Sequence, residues 1–190
     1  MFTLFSKRTL WLMPILAASL FTTACGDLLS VAPLATDSNT TFDPALIGTW
    51  SDLDGSNSVL ISVREGDKHN YDILWIDTKN NDKYRVDARL VQIGGQKILD
   101  VTPVSTDTGP FNIPGHAFVY ISNLENGLKI QFLDSKWIQE KVKQSKALTY
   151  YQLEDHPIIT GTSAQLQDFF LQNGLNEQAR SEPISLRRLK

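Results

Sequence analysis

From Val59 onward the chain repeats one device: short runs with an apolar residue at every second position, each closed off by Gly, Asn or Asp. Val59, Ile61 and Val63 alternate with Leu60 and Ser62, and Tyr71, Ile73 and Trp75 with Asp72 and Leu74. A period of two sends alternate side chains to opposite faces of an extended strand, so both runs are expected to be strands. The stretch Arg64-Glu-Gly-Asp-Lys68 between them holds the glycine that a tight hairpin favours. The pattern continues after Asn80-Asn-Asp82, with Tyr84, Val86, Ala88 and Leu90 against Arg85, Asp87 and Arg89. Gly94-Gly95 then turns the chain into Lys97 to Pro103. Ser105 to Pro114 breaks the rhythm with prolines and glycine and predicts a long loop. Ala117 to Ser122 and Leu128 to Leu133 predict a further hairpin around Asn126-Gly127.

Two stretches change period. Asp134 to Lys143 opens on a capping residue and spaces Ile138 and Val142 four apart beside Trp137, which predicts a helix. Thr162 to Asn173 places Leu166, Phe169 and Phe170 on one helical face and stops at Asn173-Gly174. Short strands are expected over Leu148 to Leu153 and Ile158 to Thr160, and a closing strand over Ile184 to Leu189. At least six strands in sequence-adjacent pairs, with edges to hide, predict a mainly β fold: an antiparallel meander curled into a barrel, with two short α-helices in the C-terminal third.

The first 43 residues read differently. Lys7 and Arg8 precede an apolar run from Leu10 to Phe21, which is followed by the small residues Thr22-Thr23-Ala24. That apolar run is about a dozen residues, against the ~20 that a membrane-spanning helix needs, and the three-part form is that of an export signal. Residues 29–43 (LSVAPLATDSNTTFD) are poor in charge and rich in small polar residues. They are expected to be a flexible tether. The organisation is therefore read as a signal peptide over 1–24, a tether over 25–43 and a single domain over 44–190.

Cys25 is the only cysteine among 190 residues and stands directly after the signal. Thr22-Thr23-Ala24-Cys25 resembles the lipobox of bacterial lipoproteins, with Thr22 where leucine is usual. The resemblance implies a diacylglycerol thioether on Cys25 and an acylated amine after cleavage. Several acyl chains anchor stably, since each buried CH₂ contributes about 0.8 kcal/mol. It also implies a cell-membrane location. Asp27 sits one place later than the aspartate that favours inner-membrane retention, so outer-membrane sorting is expected if the host has two membranes.

A second resemblance rests on Gly48-Thr49-Trp50 at the start of the first barrel strand, which is similar to the Gly-x-Trp motif of lipocalins and related calycin barrels. There the tryptophan closes one end of the barrel under an arginine from a late strand, so Trp50 would pair with Arg187 or Arg188. The chain also looks like bacterial lipoproteins with a Gly-x-Trp start, a meander and a helix-strand-helix-strand ending. An ordinary core tryptophan is the alternative for Trp50.

Composition and charge narrow the partners. The chain is 42% hydrophobic and 21% charged, the profile of an ordinary globular protein. Without Lys7 and Arg8 the 18 basic side chains fall to 16 against 21 acidic ones, and no basic stripe interleaved with aromatics appears. Nucleic acid is therefore not an expected partner. With no second cysteine the fold must hold by its core alone.

Candidate chemistry is sparse. His69, His116 and His156 lie far apart, at no metal-ligand spacing, and neither a nucleophile elbow nor a phosphate loop is present, so no cofactor, metal or catalytic residue is expected. His116 follows the long loop and is the histidine with a route to the barrel mouth; a capped surface position is its alternative. Two functions follow. In one, the barrel holds a small apolar ligand among Tyr71, Trp75 or Phe118, according to register. In the other, the anchored domain holds another envelope protein on its outer surface, with the helix near Trp137 as the suggested face.

Overall fold

A computed structural model describes residues 29–52, 59–104, 115–124, 127–145, 148–153 and 156–189. The signal region, Cys25, the loop at 105–114 and Asn126 lie outside the described residues.

Eight antiparallel strands close into a barrel: β3 (Gly48–Asp52), β4 (Val59–Glu65), β5 (Tyr71–Asp77), β6 (Asp82–Ile93), β7 (Gln96–Pro103), β8 (Ala117–Leu124), β9 (Gly127–Phe132) and β12 (Ile184–Arg188). Each pairs with its neighbour in the chain, β12 closes on β3 and β9, and β6 to β7 completes the ring. The barrel expected from the period-two pattern is therefore present, its eight strands being the six alternating runs together with the first barrel strand at Gly48 and the closing strand at Ile184. Between β9 and β12 the chain leaves for α1 (Ser135–Gln144), β10 (Tyr150–Leu153), β11 (His156–Ile159) and α2 (Ser163–Phe169), which continues as a wider turn over Phe170–Gly174. The side chains of Asp134 and Thr162 cap the two helices, and Gln165 returns the second cap's hydrogen bond.

Alternation along the strands separates two cores. One set of side chains fills the barrel: Leu90, Leu99, Val119, Ile130 and Leu186 among them. The other set points out of the wall. On β6 its early members Lys83, Arg85 and Asp87 are exposed, whereas Val91 and Ile93 are buried. There α1 and α2 cover β6, β7 and β8, and Ile98, Phe118 and Tyr120 pack outward against Ile138, Val142, Leu166, Phe169 and Phe170. Trp137 belongs to this layer, 6.2 Å from Phe169, and is 9% exposed. The helix near Trp137 therefore turns that residue inward.

Residues 29–43 correct the tether expectation. Leu34 and Ala35 are buried in the outer core, and Gln167 Nε2 donates to the Leu34 carbonyl at 3.0 Å. The two-residue strands β1 (Leu29–Ser30) and β2 (Thr40–Thr41) pair with β11, in parallel, and with β6. Packing under α2 offsets the ordering entropy that this polar composition cannot offset alone. The segment runs along the outer wall, past His116 and Asp100, to the end of the barrel where β3 begins.

Turn chemistry differs at one hairpin. Gly66 between β4 and β5 has an extended φ of −97°, and the left-handed positions fall on Lys68 and His69. The glycine pair behaves as expected: Gly94 and Gly95 both have positive φ and join β6 to β7 in two residues.

Candidate functional site

The barrel has two unlike ends. At the first, β3 begins and β12 finishes, so Trp50 and Arg188 are register partners. The Arg188 guanidinium lies 4.8 Å over the Trp50 ring and donates to the Ala45 carbonyl, while Trp50 Nε1 donates to Leu46 at 3.0 Å. Gly48, with φ of +147°, leaves the room this arginine occupies: a Cβ there would stand 3.4 Å from its Cζ. A short 3₁₀ turn at Pro44–Leu46 crosses the opening. Arg188 is thus the residue that closes this end; Arg187, one place earlier, points to the outside and is exposed.

Tyr71 completes the closure. Phe42 stacks on it at 5.2 Å, and its hydroxyl accepts from the Asp43 backbone N–H at 2.7 Å. Burial raises its phenol pKa. Lys97 Nζ donates to Asp43 Oδ2 at 2.7 Å, and this bond holds the Asp43 carboxyl below its ordinary pKa. Tyr71 is therefore part of a filled floor.

At the opposite end β3, β5, β7 and β9 finish. Trp75 and Phe132 come from strands on opposite sides of the barrel and meet edge to face, with ring centroids 5.8 Å apart. Val86, Val101 and Ile184 join them, all only partly buried. Below this pair Leu90 and Leu186 are fully buried. Apolar surface that solvent can reach therefore gathers at this mouth. Phe132 was not singled out from sequence; its period-two relation to Leu128 and Ile130 was the available signal.

Phe118 and His116 do not line the interior. Phe118 lies on the outward set of β8, because Val119 and Ile121 take the inward one, and His116, just before β8, falls on the same side as Phe118. Phe118 packs against Phe170 at 5.2 Å. His116 Nδ1–H donates to Asp100 Oδ1 at 2.8 Å, with Thr102 Oγ1 3.3 Å from the same nitrogen. The other carboxylate oxygen accepts the Ala35 N–H at 2.8 Å. The backbones of His116 and Ser30 exchange two hydrogen bonds. Asp100 is 3% exposed, and both its oxygens hold structure in place: it clamps the N-terminal segment to the wall.

A shallow concavity of about 240 Å³ lies on the outer wall among Ser62, Arg64, Asp72, Leu74 and Arg85. Arg85 grips Asp72 through two hydrogen bonds of 2.9 and 3.0 Å, which hold the Asp72 carboxyl below its ordinary pKa. Among the described residues no cluster of His, Cys, Asp and Glu could hold a metal ion, and no helix is long and apolar enough to cross a membrane.

The architecture is mainly β and of the calycin-like kind: an up-and-down barrel with one end shut by tryptophan and arginine and the other bearing aromatic side chains. No known protein family matches the chain, and neither does a curated protein or a solved structure.

Proposed function

We propose that this is a bacterial lipoprotein of the cell envelope, held to the membrane by acyl chains on Cys25, whose barrel takes up a small apolar ligand at its open end. The domain binds and does not transform its ligand. The observation that carries the ligand reading is the Trp75–Phe132 pair, half-buried across the mouth with Val86, Val101 and Ile184 around it. Small-molecule sites are concave and mostly apolar, with aromatic walls. Because the barrel beneath is filled, the ligand seats at the mouth and parts the two rings rather than entering a preformed chamber. The outer membrane is the proposed location in a host with two membranes, on the position of Asp27 after Cys25.

Titration with a fluorescent long-chain fatty acid tests the reading. Saturable energy transfer from tryptophan is expected, with its amplitude lowered by Trp75→Phe, since Trp50 and Trp137 remain as donors, and the binding weakened by Phe132→Ala. Absence of saturable binding, together with no co-purifying small molecule in native mass spectrometry, would overturn it. The competing reading, an envelope scaffold that works through its outer surface, draws support from the dense packing around Leu90 and Leu186. Reproducible crosslinks to one envelope protein in intact cells would favour it. Mass spectrometry of the N-terminus tests the anchor separately: acyl chains on Cys25 are expected, and an unmodified thiol in the mature protein refutes them.

A further inference from the structure

The three-stranded sheet beside the barrel has an outer face that no element among the described residues covers. Register aligns Leu29, Ile158 and Tyr151 across β1, β11 and β10, and in the next row Ser30, Ile159 and Tyr150. Ser30 and Ile159 are fully buried, so their row faces the domain, with Tyr150 on the outermost strand of that row 36% exposed. Ile158 and Tyr151 face away from it. Tyr151 is 63% exposed, and Val31, next on the same face of the N-terminal segment, is 40% exposed.

Where the chain arrives decides what this face meets. Residues 26–28 separate Cys25 from Leu29, and four residue steps span at most about 14 Å even when fully extended. Neighbouring strands lie roughly 4.8 Å apart, which places Tyr151 about 10 Å from Leu29 across the sheet. We infer that the outer face carrying Val31, Tyr151 and Ile158 lies against the lipid bilayer into which the acyl chains of Cys25 insert. The inference rests on the anchor reading above. A short leash cannot let the domain stand away from the membrane, and the face nearest the leash presents apolar and aromatic side chains. Tyrosine suits the headgroup level, where the ring is buried among lipid and the hydroxyl stays wet.

Acylation blocks the native thiol, so one introduced cysteine can be labelled alone in the full acylated chain. An environment-sensitive fluorophore is placed on Tyr151→Cys, or on Ser62→Cys in β4, on the opposite side of the barrel. Both proteins are reconstituted into vesicles of phosphatidylethanolamine and phosphatidylglycerol. On vesicles the label at position 151 is expected to shift to the blue and brighten, and the label at 62 to keep its aqueous spectrum. The double variant Val31→Asp with Tyr151→Asp is expected to float with the vesicles while a label at position 158 loses its blue shift. Protein that floats with vesicles but leaves position 151 in water overturns the docking and spares the anchor. Protein with an unacylated Cys25 that fails to float overturns both.

Discussion

Replacing Asp100 by alanine should loosen the N-terminal segment before it harms the barrel. The carboxylate is buried and accepts two hydrogen bonds, one from Ala35 N–H and one from His116 Nδ1–H, both at 2.8 Å. Truncation strands the buried Ala35 N–H and takes the charged partner from the partly buried His116 Nδ1–H. Each stranded group costs about 1–3 kcal/mol, so the variant should lose about 3 kcal/mol. A urea slope of about 2 kcal/mol per molar for a domain of this size turns that into a fall in midpoint of roughly 1.5 M. Asp100→Asn keeps an oxygen for Ala35 and should lose about half as much. Hydrogen exchange supplies the local readout: amides of Ser30, Val31 and Thr40, which donate to His116, Ile159 and Thr36, should lose protection ahead of β4 and β5. A midpoint shift below roughly 0.3 M with unchanged exchange at those amides would refute the clamp, because it corresponds to less than about 0.6 kcal/mol.

Three further outcomes follow from the closed end and the turns. Arg188→Ala should cost about 1–2 kcal/mol in chemical denaturation through loss of its stacking on Trp50 and its bond to Ala45, whereas Arg187→Ala should stay within about 0.5 kcal/mol; equal effects would refute the assignment. Gly127→Ala should destabilise the domain by at least about 1 kcal/mol, since a Cβ there would collide with the Leu186 carbonyl oxygen across β12, and an unchanged melting temperature would contradict that close approach. The depressed pKa of Asp43 contributes stability that is fully present above the ordinary carboxyl value of 3.8 and is lost as pH falls through the folded-state value. Wild-type protein should therefore lose stability below about pH 4 more steeply than Asp43→Asn, measured by denaturant midpoints across that range.

The barrel strands were legible because period two and turn residues act locally. Val59 to Val63 and Tyr71 to Trp75 declare their burial without help from the rest of the chain, and both α-helices carry their own caps. The inward side of β8 was not legible. Phe118 and Tyr120 are as apolar as Val119 and Ile121, because a second layer covers that wall, so alternation has no polar face to mark the outside. His116 was read from its place after the long loop, and its alternative, a capped position, is where it sits, bonded to Asp100. The segment 29–43 was misread because its order comes from elsewhere: Asp100, α2 and the edge of β6 supply partners that its own composition does not advertise. Of the closing pair, the Gly-x-Trp spacing pointed to Trp50, but the choice between Arg187 and Arg188 needed the register of β12 on β3.

The parallel pairing of β1 with β11 also sets how the domain would bear force. A load applied at Leu29 meets first the hydrogen bonds of this short segment to β11 and to His116. Behind them stands the Asp100 clamp, and only after it the barrel. With the proposed anchor on Cys25, the small sheet would yield first and release the residues of the outer strap before the eight-stranded ring is loaded.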